Sequence, residues 1–165
     1  PVGAPHPLAL RSLRARALSG PALQYASLQI PGLAERRLRS RSALEGLLRS
    51  WAGPYTREAV AEEAAYYAEL LSRPGAAHSA LEPLRNLMLS RAETAALGKP
   101  VAIPVLSVQG ELDPVQPAQA YARDTHHVTG LRQVTIRRSG HFPQEEAPAE
   151  LVRALLTFLA DVAPA

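Results

Sequence analysis

The spacing of apolar residues changes once along this chain, near residue 99, and the change separates two kinds of predicted structure. Ahead of it, apolar residues recur three and four apart, the repeat of a helix with one buried stripe. Leucines 8, 10, 13 and 18 are interleaved with arginines in LALRSLRARALS, which predicts a helix over 8–19 stopped by Gly20-Pro21. A short helix over 22–30 ends at Pro31-Gly32. In the segment that follows, Leu44, Leu47, Leu48 and Trp51 form one apolar face, closed by Gly53-Pro54. Thr56 is the expected N-cap of a single long helix, REAVAEEAAYYAELLSR, on which Val60, Ala64, Tyr67 and Leu71 share a face before Pro74-Gly75 ends it. Ser79 with Glu82 three residues later reads as a capping box, opening a helix that runs to Gly98.

Beyond Lys99-Pro100 the pattern is that of strands. Val101, Ile103, Val105, Leu106 and Val108 make the run 101–109 apolar on both faces, as inside a parallel sheet. A helix-like segment over 116–128 follows, then a second strand over 133–137 and an amphipathic helix from Pro148 to Val162 with Pro148 in its first turn. Strand, helix, strand, helix is a parallel βαβ unit with a right-handed crossover. Residues 1–7, dense in turn formers, read as the end of a core strand and the loop after it. Two strands do not make a stable sheet. The chain also opens on Pro1 and holds its single methionine at Met88, so the expectation is the C-terminal part of a larger domain, with the missing N-terminal half as its partner.

Composition narrows the class. With 47% hydrophobic and 20% charged residues the chain is a globular one. The net charge is +3, but 17 of the 18 basic residues are arginines dispersed among acids, which describes a solvated surface and no nucleic-acid patch. Cysteine is absent, which excludes disulfides, thiolate catalysis and Cys-ligated zinc. No apolar run approaches the roughly 20 residues of a membrane span and no signal peptide is recognisable, so a cytoplasmic protein without a membrane partner is expected. His126 and His127 are adjacent, point apart on a helix and belong to no HExxH spacing. They are read as solvated, no metal site is assigned, and His6 and His78 are read as loop residues.

Candidate chemistry gathers at the two strand ends. Asp113 and His141 each stand just past a predicted strand, the position where open α/β sheets carry their active groups. Asp113 before a proline also suits an Asx turn, and His141 alone also suits a cap or core role. Their pairing favours an acid orienting a base. Ile103 to Val108 followed by Gly110-Glu111-Leu112-Asp113-Pro114, together with Ser139-Gly140-His141-Phe142-Pro143 and Glu145-Glu146-Ala147-Pro148, resembles the acid and histidine loops of the α/β-hydrolase superfamily. The branch most similar holds epoxide hydrolases and haloalkane dehalogenases, and Ala4-Pro5-His6-Pro7 is similar to its lead-in to a helical cap.

The resemblance implies an α/β fold in its C-terminal portion: residues 1–7 ending a core strand, a helical cap over 8–98, and over 99–165 the last two parallel strands with their helices. It implies a cofactor-independent hydrolase, without metal or organic cofactor, acting on a small apolar substrate through a covalent intermediate. Asp113 would be the acid and His141 the base, with Trp51, Tyr66, Tyr67, Leu84 and Phe142 around the substrate. Trp51 and Phe142 suit a core role as well, and Tyr66 and Tyr67 suit simple packing. Glu145 and Glu146 are read as helix N-terminal charges without chemistry. Two departures matter. None of the chain's serines sits in a GxSxG turn and there is no HG-type oxyanion loop, so the nucleophile is expected outside the chain, which would be inactive alone. Leu84, in Glu82-Pro83-Leu84-Arg85-Asn86, stands where epoxide hydrolases resemble one another in a hydrogen-bond-donating tyrosine; unless Tyr66 or Tyr67 donates from another helix, epoxide opening loses that contact, so a generic hydrolase is expected ahead of an epoxide hydrolase. The competing readings are a non-catalytic remnant or interaction module, a haloperoxidase-like or epoxide-hydrolase member, and a cofactor-free oxygenase of the same fold.

Overall fold

The computed structural model describes residues 2–3, 27–85, 90–99, 101–116, 122 and 128–162. The helix expected over 8–19, most of those over 22–30 and 116–128, and His6, Met88, His126 and His127 lie outside the described residues. So does the side chain of Leu84. Among the described residues six helices come first: α1 (Leu33–Leu38), α2 (Arg41–Trp51), α3 (Arg57–Glu62), α4 (Ala64–Ser72), α5 (Ala76–Arg85) and α6 (Arg91–Leu97). Then follow β1 (Val105–Gly110), β2 (Leu131–Ile136), α7 (Pro143–Glu146) and α8 (Pro148–Val162).

The helical layer is held by small residues. Leu44, Leu48 and Trp51 of α2 are buried against Val60 of α3 and Ala64 and Ala68 of α4, where alanines let the axes approach. The long helix expected after Thr56 is broken at Glu63 into α3 and α4. Four-residue steps carry a buried stripe around a helix by about 40° each, so one straight helix would turn Ala68 off the face that buries Val60; the break re-aims it. Ser79 does not open a helix. α5 begins earlier, after Gly75 in left-handed backbone (φ 77°), and Ser79 N donates to Gly75 O at 2.9 Å. The capping box belongs instead to Ser90 and Glu93 at the start of α6, with Ser90 N donating to Glu93 Oε2 at 2.8 Å, and Gly98 closes that helix as expected.

β1 and β2 pair in parallel, from Val105 opposite Leu131 to Gly110 opposite Ile136. The first strand starts four residues later than the apolar run because Pro104, lacking an N–H, interrupts the ladder between Val105 and the isolated Val101–Val128 bridge. On its other side β1 meets Val2 in an isolated parallel bridge at Val108, and Gly3 N donates to Val108 O at 2.9 Å; among the described residues the sheet itself has two strands. Leu106, Val108, Ile136 and Leu151 are the buried centre of this second layer. α8 spans the predicted Pro148–Val162. It presents Val152, Leu155, Leu156, Leu159 and Val162 to solvent as one apolar stripe. Among the described residues no helix is long and apolar enough to cross a membrane.

Candidate active site

β1 ends at Gly110 and delivers a tight loop: Glu111 N donates to Ile136 O at 2.9 Å and Leu112 N to Ser139 O at 2.8 Å, fastening the acid loop to the one after β2. Gly110 is required here by space alone, since a Cβ on it would lie 1.8 Å from Gly140 O. Asp113 then uses both carboxylate oxygens. Oδ1 accepts from Val115 N at 2.8 Å and Gln116 N at 2.9 Å, which is the Asx turn. Oδ2 lies 2.9 Å from His141 Nδ1. The Asx turn and the contact to His141 therefore use the two oxygens of one carboxylate.

The Asp113 side chain is 1% exposed and that of His141 16%. An ionised carboxylate only accepts, so the imidazole places its proton on Nδ1 and leaves Nε2 as the basic nitrogen. Among the described residues Nε2 has no hydrogen-bond partner. Trp51 meets the imidazole edge-on at 5.2 Å between centroids, and Phe142 flanks it at 5.2 Å. These rings hold its plane and exclude water on two sides. The histidine backbone is fixed as well, with His141 N donating to Trp51 O at 3.0 Å.

No protein-family model matches the chain, and no curated protein does. Solved structures do. Cfl2 from Burkholderia cenocepacia, 29% identical, matches with a TM-score of 0.62 over 82% of this chain and 47% of that one. An epoxide hydrolase from Bacillus megaterium, 17% identical, matches at 0.57 over 94% and 57%. A 2-hydroxy-6-oxo-6-phenylhexa-2,4-dienoate hydrolase from Rhodococcus, 19% identical, matches at 0.52 over 97% and 51%. This is the C-terminal part of the α/β-hydrolase fold. The chain spans about half the length of the solved structures it matches.

Within that α/β-hydrolase portion the other predicted site residues separate. Trp51 and Phe142 stack at 6.3 Å beside His141, with Trp51 buried in the helical core. Tyr67 lies against the same core, and its hydroxyl donates to Glu145. Burial, and then that carboxylate, push its phenol above the usual tyrosine range. Tyr66 is 57% exposed and meets the Tyr67 ring at 5.7 Å. His78 lies in α5 and not in a loop, with its Nδ1 3.6 Å from Glu35 and its Nε2 3.5 Å from Glu82.

The residue that sequence reasoning missed is Glu146. Its Oε2 accepts from Gly53 N at 2.8 Å, Thr56 Oγ1 at 2.6 Å and Gly140 N at 2.8 Å, while Oε1 accepts from Phe142 N at 3.0 Å. Thr56 accordingly does not cap α3 with its side chain; its hydroxyl is spent on Glu146. A carboxylate reaching back to the N-cap amide of its own helix is a local pattern and was open to the sequence. The donors from residues 53 and 56 are about 90 positions away and were not.

Proposed function

We propose that Asp113 and His141 are the acid and base of a hydrolytic centre of the α/β-hydrolase type. The observation that carries this is the 2.9 Å contact between a buried carboxylate and Nδ1, which leaves Nε2 to move a proton. The nucleophile is supplied by polypeptide outside these 165 residues, since none of the serines here stands in a nucleophile turn. If it is a serine, Nε2 takes the hydroxyl proton as the oxygen attacks an ester carbonyl and returns it to the departing alcohol. If it is an aspartate, which opens an epoxide or displaces a halide, Nε2 deprotonates the water that hydrolyses the resulting ester. Asp113 stabilises the imidazolium formed in either case. Chemistry of this kind requires no metal or organic cofactor. The helical layer acts as a cap, with Trp51 and Phe142 giving the base an apolar wall that suits a small hydrophobic substrate.

The second reading, an interaction module that does not turn over, draws on the exposed apolar stripe of α8. A chromogenic ester separates the two. The 165-residue chain alone should hydrolyse it no faster than its own His141→Ala variant, whereas a longer polypeptide carrying a nucleophile turn should turn over and lose that activity on the same change. Undiminished turnover by the longer His141→Ala protein would overturn the assignment of the base. Efficient His141-dependent hydrolysis by the short chain would overturn the placement of the nucleophile.

A further inference from the structure

Glu146 accepts from four protein donors, three on Oε2 and one on Oε1. Those donors come from two places. Gly140 N and Phe142 N flank His141 in the loop after β2; Gly53 N and Thr56 Oγ1 belong to the connection between α2 and α3. The amide between the first two, His141 N, is bonded to Trp51 O at the end of that same α2. Three consecutive amides of the histidine loop are thus tied, directly or through Glu146, to one turn of the helical layer.

Two glycines make this approach possible. A Cβ on Gly53 would lie 2.8 Å from Glu146 Oε2 and 2.8 Å from Gly140 N, and one on Gly140 would lie 2.2 Å from Gly53 N. Neither residue is in left-handed backbone, so the glycines are there for closeness and not for conformation. Trp51, whose carbonyl accepts from His141 N, also meets the imidazole edge-on.

We propose that Glu146 is a positioning residue for His141: its carboxylate latches the histidine loop to the helical layer, so that the imidazole keeps its place on Asp113 only while that layer is docked. The proposal rests on the acid–base reading of Asp113 and His141 and adds to it a coupling between the layer and the base. A displaced layer takes Trp51 O, Gly53 N and Thr56 Oγ1 with it, and the loop that aims the imidazole loses its anchor. Glu146 does not touch substrate in this scheme; its contacts are all to the protein's own loop and helix-connection donors.

Deuterium exchange at the Cε1–H of His141, read by mass spectrometry, reports the imidazole itself, and backbone exchange in β1 and β2 reports the fold. Glu146→Ala removes all four of these bonds and should exchange at His141 at least about tenfold faster, the factor for losing even one hydrogen bond to a charged group. Glu146→Gln keeps one accepting oxygen and should fall between Glu146→Ala and wild type, a partial rescue that a merely space-filling role would not give. Thr56→Val changes nothing in the histidine loop yet should also speed exchange at His141. If Glu146→Ala loses protection in β1 and β2, Thr56→Val decides. His141 exchange within about twofold of wild type in Thr56→Val, or in a Glu146→Ala protein whose strands stay protected, would overturn the latch. Loss of the acid–base reading shows elsewhere, in ester turnover that survives His141→Ala.

Discussion

Replacing Gly110 by alanine tests the junction between the two loops without needing any activity. The new Cβ would sit 1.8 Å from Gly140 O and 2.6 Å from Ser139 O, against an ordinary contact of 3.4 Å or more. Both obstacles are backbone, so no side chain can rotate away, and the histidine loop must retreat by about 1.6 Å. That retreat pulls Leu112 N off Ser139 O and Gly140 N off Glu146 Oε2, both now at 2.8 Å. One neutral hydrogen bond and one to a charged group are together worth about 2–4 kcal/mol. The figure overlaps the ~1–3 kcal/mol usual for overpacked interiors. For a domain of this size a loss near 3 kcal/mol lowers Tm by roughly 10 °C. Trp51, the chain's single tryptophan, lies against His141 and Phe142, so urea unfolding followed by its fluorescence reads the junction directly. Gly46→Ala is the matched control: a Cβ there meets nothing within 4 Å and the position is inside α2, so it should stabilise by about 0.5–1 kcal/mol. A Gly110→Ala midpoint equal to or above wild type would refute the steric reasoning, whatever Gly46→Ala does.

Three further outcomes follow from other parts of the molecule. Asp113→Asn keeps an oxygen for the amides of Val115 and Gln116 but turns an NH2 toward Nδ1, forcing the other imidazole tautomer; in a turnover-competent polypeptide kcat should fall by about 10⁴ with the fold retained, and a loss under about tenfold would count against the base assignment. The Arg85 guanidinium at 2.7 Å holds the Glu35 carboxyl down to about 2 from 4.5, so the stability it lends is present above about pH 4.5 and lost as pH falls toward 2; thermal midpoints across that window should slope less in Arg85→Gln. Burial and then Glu145 raise the Tyr67 phenol, so its stabilisation is whole below about pH 10 and drains away as pH rises through the folded value; an alkaline absorbance titration should contain a step above the usual tyrosine range, and Tyr67→Phe should delete it.

The order of the described elements and the placement of Asp113 and His141 just past strand ends were legible in the sequence because they depend on local rules. Pro148 at the first turn and apolar spacing up to Val162 delimited α8 to the residue. The aspartate and histidine beyond two parallel strands were visible as loop residues at strand ends. Helix boundaries were less legible where packing overrode pattern: the break at Glu63 serves the fit of α3 and α4 onto α2, and Ser79 lies inside α5 because the Pro74-Gly75 turn had already started that helix. What tertiary structure alone decided is how those loops are held. Oxygen positions on Glu146 are filled by Gly53 and Thr56, about 90 residues upstream, and the closeness of Gly110 to Gly140 is a contact between the ends of two strands. Spacing in sequence specifies which way a side chain faces along its own element. It carries no information about which distant amide will come within hydrogen-bonding reach, because that is set by how the two layers pack.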